Sequence, residues 1–543
     1  MARTPLFAAL QRLAADHRAA AAAGLPLAEY RDIDAAHRAG ALDRRTTLKL
    51  GITAAVTGAA ALTTARPAAA GPKKDTTARI ALVGGGMAGM AAALAFADAG
   101  VPCTVYEASD RVGGRMWSER SYWAGGQVSE YGGELIDTGH KMLLHLCQRF
   151  GLQTVDVGKA APTGADQIFW FDGGYYPRAQ LDADFKDVNG ALQKDLHAAL
   201  PEATYAFATP EAVALDRMSL HEWIETRVPG GHTSRLGQLL DVAYAIEYGL
   251  DTAEQSALAL VYLLGYQRNP GHVKIWGLSD ERYHIVGGND QLPAAVAASL
   301  PAGTIRFGRR LVALSANDDG TQTLTFESGP AVVADHTVLC LPLGVLQRID
   351  LTRAGFDPMA RGVLSHMRMG DCTKLNMQFT ARPWLGTGPW PGVSSGETFT
   401  DEPWQQCWDV TAGQPGTAGI LIQYLGGSAA SAVTASAPFT TTSVAATRRL
   451  AVTTAGQIDR VFPGTSSVWN GRATLSAWHL NPLAHGAYSS WPVGYVSAYA
   501  GYEGVAQGNI HIGGEHCSYD YQGYMQGAAV EGDRAAREVL AQL

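Results

Sequence analysis

The sequence predicts an α/β fold in which one sheet domain, assembled from several separated segments, is interleaved with a mixed α+β domain. Three observations predict it. From Arg79 the chain reads strand ("RIALVGG"), glycine turn, helix ("MAGMAAALAFADAG") and strand ("CTVYEA"), a βαβ unit of ordinary length. Between Leu181 and Arg268 helical periodicity takes over, as in "LHEWIETRV" and "AEQSALALVYLLGY". Near its end the chain returns to strand, turn and helix in "NIHIGGEH" and "GYMQGAAVEGDRAAREVLAQL".

With 543 residues the chain is long enough for two or three domains with sizeable cores. About half of it is apolar and 17% is charged, which is a globular composition and not a disordered one. The formal net charge of −8 offers no cationic footprint for nucleic acid, and no basic run extends beyond a pair such as Lys73-Lys74. Six scattered cysteines without a C-x-x-C pair argue against a zinc site and a disulfide-dense scaffold, so no metal is expected. One disulfide bridge is compatible with them.

Taken in order, residues 1–43 form an N-terminal leader. Residues 44–70 are arranged as an export signal: Arg44-Arg45, a soft apolar stretch from Gly51 to Ala65, then Ala68-Ala69-Ala70 before Gly71 as a small-residue cleavage site. The apolar stretch is too short and too poor in large side chains for a membrane span. The arrangement resembles a twin-arginine signal, with Leu48 and Lys49 in their expected places and Thr47 where that pattern usually carries Phe. The resemblance implies a twin-arginine translocation machinery as partner and a periplasmic or extracellular destination. That route carries folded proteins, which suits a chain that takes up a cofactor before export.

Residues 78–180 form the first part of the sheet domain and carry Gly84-x-Gly86-x-x-Gly89 between strand and helix. Glycines there permit a tight turn, close approach to a pyrophosphate, and helix–strand packing. The helix start (Met87, Ala88) points free N–H groups at the phosphates. Glu107 ends the next strand at the distance where a carboxylate accepts ribose hydroxyls. The segment is therefore Rossmann-like and nucleotide-binding. Residues 181–280 form the first part of the helical, substrate-side domain. Residues 281–345 return to the sheet domain, residues 346–470 form the second part of the substrate domain, and residues 471–543 close the sheet domain.

"EASDRVGGR" (Glu107 to Arg115, with Ala108 and Gly114) resembles the extended fingerprint of the flavin-containing amine oxidase superfamily, in the monoamine oxidase and L-amino-acid oxidase group. More than 400 residues later "IHIGGEHCSYDYQGYMQGAAVEGDRAA" resembles the C-terminal flavin motif of the same superfamily. Between them, "EYGGELIDTGH" resembles the loop that runs along the flavin, and "YHIVGGNDQLPAAVA" resembles the return to the flavin domain. The resemblance implies non-covalent FAD, with Arg115 near its pyrophosphate and Gly132, Gly133 and Glu134 beside the ring or ribityl arm. Leu311 or Val312 would touch the adenine end. Gly514 and Glu515 would lie at the ribityl chain, and a helix starting near Gly523 and Met525 would aim its positive end at the electron-rich edge of the ring. The non-covalent attachment follows from Ala487, which stands where covalently flavinylated members carry cysteine.

By the same resemblance, Lys374 in "MGDCTKLNMQF" holds a water against the flavin and assists reaction with O2. An ammonium is costly to bury in an apolar strand unless it is partnered. "WHLNPLAHGAYSSWPVG" resembles the segment that walls the amine cage. Tyr488 and Tyr524 would face each other across the substrate, with Trp478 nearby, their π faces steadying an amine nitrogen. The venom-type Gly-Pro-Met-Arg is replaced here by "YGGEL", so the arginine that binds a substrate carboxylate in that group has no counterpart in this stretch.

The expected activity is oxidation of a primary amine or L-amino acid to an imine, with O2 as acceptor and hydrogen peroxide as product. Other reactions on the same fold stay open (amino-acid monooxygenation, polyamine oxidation, protoporphyrinogen or carotenoid oxidation), as does a low-turnover flavin-bound partner. The tyrosine pair argues against the porphyrin and carotenoid reactions. The oligomeric state is open, a homodimer included.

Overall fold

The computed structural model describes residues 77–267 and 271–543. The leader and the twin-arginine-type signal lie outside the described residues.

The nucleotide-binding sheet is a five-stranded parallel sheet. Its order is Ile510–Ile512, His336–Leu339, Ile80–Val83, Thr104–Tyr106, Ile305–Arg306, so its strands come from three distant stretches of chain. Alternation along each strand sends side chains to opposite faces. Ile80, Leu82 and Val338 pack with Leu94, Phe96, Ala535 and Val539 of two helices, Met87–Asp98 and Met525–Leu540. These helices cross closely because Gly532 has no side chain: a Cβ there would lie 2.0 Å from the Ala88 carbonyl oxygen. On the other face Ala81, Val83, Leu339 and Ile512 pack against Leu311, Leu314, Leu324 and Phe326 of a four-stranded sheet.

A nine-stranded sheet forms the floor of the second domain. Along its main path the order is Phe439–Thr441, Trp469–Ala477, Cys372–Phe379, Gly419–Gly426, Gln406–Cys407, Val393–Thr400, Asp166–Phe171, Gly174–Tyr175, with Gly386–Thr387 paired to Val393–Thr400. This shifts two of the sequence-based boundaries. Strand Asp166–Phe171, expected within the first sheet-domain segment, pairs with Val393–Thr400 in the substrate sheet, and Trp469–Ala477, at the expected boundary of 470/471, pairs with Cys372–Phe379 in the same sheet. Alternating apolar patterns mark a strand but not the partner it finds, so neither assignment was readable from the pattern alone.

The helical lobe comprises Arg178–Ala198, Pro210–Arg217, Leu220–Arg227, Arg235–Tyr248 and Ala257–Leu264. Thr209, Ser219, Ser234 and Ser256 cap the last four, each hydroxyl accepting a hydrogen bond from a first-turn N–H. Ala257–Leu264 is buried along its whole length, as an apolar helix without a polar face must be. All six cysteines are unpaired thiols. No described helix is long and apolar enough to cross a membrane.

Candidate active site

A cavity of about 890 Å³ runs between the two sheets. At one end, the turn after Ile80–Val83 is possible only with glycine. Gly84 has φ of +103°, and a Cβ there would lie 2.5 Å from the Cys340 carbonyl oxygen. Gly86 borders open space and caps the following helix without any side chain. Helix Met87–Asp98 therefore presents its first N–H groups to the cavity, where an anion satisfies them. Gly89 does not line the cavity. A Cβ there would lie 1.9 Å from the Gly84 carbonyl oxygen, so its part is to let helix and turn pack.

Glu107 is buried at the end of its strand. It accepts hydrogen bonds from Gly85 N at 2.6 Å, Ser109 N at 2.8 Å and Ser109 Oγ at 2.7 Å, which ties the glycine turn to the second strand. Gly84, Gly86, Met87, Ala88, Glu107, Ala108, Gly114 and Arg115 all line this end. So does Leu311, whereas Val312 points outward with 37% of its surface exposed, which decides the register left open by the sequence.

In the middle, Glu515 gathers three segments. Its carboxylate accepts from Arg115 Nη1 at 2.9 Å, Ser489 N at 3.1 Å, Ser489 Oγ at 2.7 Å and Gly523 N at 2.9 Å. Burial would raise its pKa, but Arg115, His516 and Ser489 outweigh that and hold it below the ordinary glutamate value. Arg115 also donates to the Ala487 carbonyl at 2.7 Å. Gly132 is squeezed between the Arg115 carbonyl and Trp478, where a Cβ would clash at 1.9 and 3.1 Å respectively. Helix Met525–Leu540 begins two residues later than Gly523, with Tyr524 at its N-cap and no side-chain cap, so a second bare helix N-terminus opens into the same cavity. Gly132, Gly133, Glu134, Gly514, Gly523 and Met525 line this part.

Lys374 sits in strand Cys372–Phe379, which is flanked on both sides by other strands and is therefore central and not an edge. Its Nζ donates to Glu134 Oε2 and to the Gly132 carbonyl, both at 2.8 Å, and both side chains are buried. Trp408 Nε1 donates to the other Glu134 oxygen at 2.8 Å, and the Trp408 and Tyr424 rings lie 5.4 and 5.9 Å from Nζ. Trp478 lines the cavity and is anchored by Nε1 to the Tyr131 carbonyl at 2.7 Å.

Tyr488 and Tyr524 line the same end. The Tyr488 hydroxyl donates to the Ile246 carbonyl at 2.5 Å and lies 3.0 Å from the Tyr424 hydroxyl, with Cys372 Sγ at 3.1 Å. The Tyr524 hydroxyl donates to Glu247 at 3.1 Å, and its ring meets the edge of His140. Burial raises the pKa of all three tyrosines and lifts the Cys372 thiol to about 12, so these groups stay protonated.

Glu247, Glu281, Glu397, Trp408 and Tyr424 line the cavity without having been singled out in the sequence. Glu247 had a readable signal, a carboxylate inside the apolar run "VAYAIEYG". The others come from a loop or from alternating strands, where sequence does not say which face turns to the cavity.

The residues present fit a flavin dinucleotide. Two uncapped helix N-termini face one elongated cavity, one beside the glycine turn for a pyrophosphate, the other set to favour an electron-rich ring edge.

Comparison with known proteins agrees with this geometry. A family model for flavin containing amine oxidoreductases matches residues 87–540. An L-amino-acid oxidase from Mus musculus is 24% identical over 482 residues, spanning 84% of this chain and 70% of that protein. A putrescine oxidase from Kocuria rosea is 25% identical over 332 residues, 57% of this chain and 66% of that protein. The fold matches cyclohexylamine oxidase from Brevibacterium oxydans with a TM-score of 0.71 at 21% identity, covering 86% of this chain and 99% of that one. The chain belongs to the flavin-containing amine oxidoreductase family.

Proposed function

We propose that the protein is an FAD-dependent oxidase that deaminates a primary amine or L-amino acid with O2 as acceptor. The observation that carries this reading is the meeting, in one cavity, of the glycine-turn end, the Glu515–Arg115 hub and the Lys374, Tyr488 and Tyr524 end. When bound, FAD supplies the two-electron acceptor for the substrate's α C–H and passes the electrons to O2, giving hydrogen peroxide. The imine hydrolyses to ammonia and an aldehyde or 2-oxo acid.

The chain's own residues orient and desolvate. The faces of Tyr488 and Tyr524 steady the amine nitrogen. Glu247, kept protonated more readily than usual by its burial, fixes the Tyr524 hydroxyl from behind. Lys374 holds a cationic nitrogen where negative charge develops on oxygen, and Glu134 and Trp408 keep it in place. FAD is held without a covalent bond, since Ala487 offers no sulfur. Export by a twin-arginine route is part of the same proposal and rests on residues 44–70 alone. A peroxide-coupled screen of the purified, flavin-loaded protein across amines and L-amino acids tests the reading. Peroxide release with any primary amine or L-amino acid supports it, and a fully loaded protein silent on all of them refutes it.

A further inference from the structure

The lining of the same cavity also includes carboxylates that the amine-oxidising residues leave unused. Three of its cationic side chains are held by carboxylates, while Lys274 lies exposed at the rim. Lys374 pairs with Glu134 at 2.8 Å, and Arg178 pairs with Asp166 at 2.7 Å. Arg382 lies 3.8 Å from Asp409 and donates to the carbonyls of Ala418 and Gln414. Two carboxylates that line the same cavity, Glu281 and Glu397, have no ion pair within 4 Å among the described residues. Glu397, on Val393–Thr400, accepts from the Gln406 amide at 3.4 Å, and Gln167 and the more distant Arg178 charge also favour its ionised form. Glu281, just before strand Tyr283–Ile285, has no hydrogen bond or ion pair to its carboxylate among the described residues.

The neighbours that act most on Glu281 are themselves acids: Glu397, Asp137, Glu247 and Glu134. Burial, together with this repulsion, keeps Glu281 well above the ordinary glutamate range. Burial lifts Glu397 to about 7. A buried carboxyl without a counter-ion keeps its proton, and it ionises readily when a cation arrives with a ligand.

Strand register places Glu397 relative to the cage. Lys374 pairs with Tyr424, Tyr424 with Gln406, and Gln406 with Phe399, two residues from Glu397. Three strand spacings and the two-residue offset put the backbone at Glu397 about 16 Å from that at Lys374. Glu281, Glu397, Tyr488 and Tyr524 all line the one cavity between these points.

We propose that Glu281 and Glu397 bind a second cationic group of the substrate, making the enzyme selective for diamines or basic amino acids whose reacting nitrogen sits between Tyr488 and Tyr524. This rests on the amine-oxidising reading given above. It reaches further by fixing the charge of the substrate's far end.

Two measurements test it. In the first, peroxide-coupled kinetics compare cadaverine with pentylamine and L-lysine with L-norleucine. The dicationic member of at least one pair should have a kcat/KM ten-fold or more above its partner. Which pair responds tells a diamine from an amino acid. In Glu281→Gln and Glu397→Gln that ratio should fall at least five-fold. A wild-type ratio near one in both pairs, or a ratio unchanged in both variants, overturns the proposal.

The second measurement needs no turnover. Calorimetry on the flavin-loaded protein compares pentamethonium with pentyltrimethylammonium, neither of which offers an oxidisable primary amine. The dication should bind at least ten-fold tighter to wild type, and the preference should shrink in both variants. Dication preference without any turnover would overturn the oxidase reading and leave this subsite standing. Turnover without dication preference would do the reverse.

Discussion

Lys374 and Glu134 form a buried ion pair at 2.8 Å, with Trp408 donating to the second carboxylate oxygen and the Gly132 carbonyl accepting a second bond from Nζ. The pair joins the centre of the substrate sheet to the loop expected to run along the flavin, so the lysine's position depends on both domains. Its ammonium is neutralised on one side only, which leaves an N–H group available to a water or to oxygen.

Replacing Lys374 with Met removes that cation at nearly constant length. Flavin reoxidation should slow by roughly 10²–10³, equivalent to ~2–4 kcal/mol, while anaerobic reduction by substrate suffers much less. Stopped-flow measures the two half-reactions separately. Reoxidation at the wild-type rate would show that Lys374 is only a structural member of the strand.

The same pair predicts a thermodynamic cycle. Lys374→Met strands the Glu134 carboxylate in a buried site and should cost about 3–5 kcal/mol of stability. Adding Glu134→Gln should recover a substantial part of that loss. Denaturant titration of the two single variants and the double variant gives the coupling, and strictly additive costs would mean that solvent reaches the pair.

Gly89 offers a test of the glycine turn by a residue outside the cavity. A Cβ at this position meets the Gly84 carbonyl oxygen at 1.9 Å, which helix and turn relieve only by separating. Gly89→Ala should purify with little or no flavin and cost about 1–3 kcal/mol or more. Full flavin content and unchanged melting would show that the turn tolerates the displacement.

Flavin attachment is readable by acid precipitation. Ala487 offers no sulfur, neither His516 nor Cys517 lines the cavity, and burial lifts the Cys340 and Cys372 thiols that do line it to about 12. FAD should therefore stay in the supernatant. Colour retained in the pellet would refute this.

Acid stability should depend on His516. The ring is buried, both nitrogens lack a hydrogen-bond partner, and burial lowers its pKa from 6.5 to about 4. Below pH 6.5 the unfolded chain takes up a proton that the native state refuses until about pH 4. The stability held above that window is thus lost as pH falls through it, by up to about 3 kcal/mol from this group. His516→Gln should flatten the decline between these limits in thermal melts, and an equal decline in both proteins would contradict the assignment.

For export, Arg44→Lys with Arg45→Lys should leave active, flavin-loaded enzyme in the cytoplasm. N-terminal sequencing of the exported wild type should begin near Gly71. Export indifferent to the arginine pair would exclude the twin-arginine route.

What the sequence determined by itself is whatever is encoded locally. The glycine turn at Gly84 to Gly89 and the carboxylate Glu107 belong to one βαβ unit, and Glu515 and the helix after it belong to one short motif. Their chemistry follows from spacing along the chain, because backbone sterics and free helix N–H groups act within a few residues. Tertiary structure decided everything that depends on which strand lies beside which. Pairing brought Asp166–Phe171 into the substrate sheet, turned Leu311 inward and Val312 outward, and seated Glu134 against Lys374, 240 residues away. It also collected Glu247, Glu281 and Glu397 from a helix, a loop and a strand around one cavity. A strand's alternating pattern leaves its neighbours unspecified, and burial, which shifts charge and selects partners, exists only after the sheets have closed over one another.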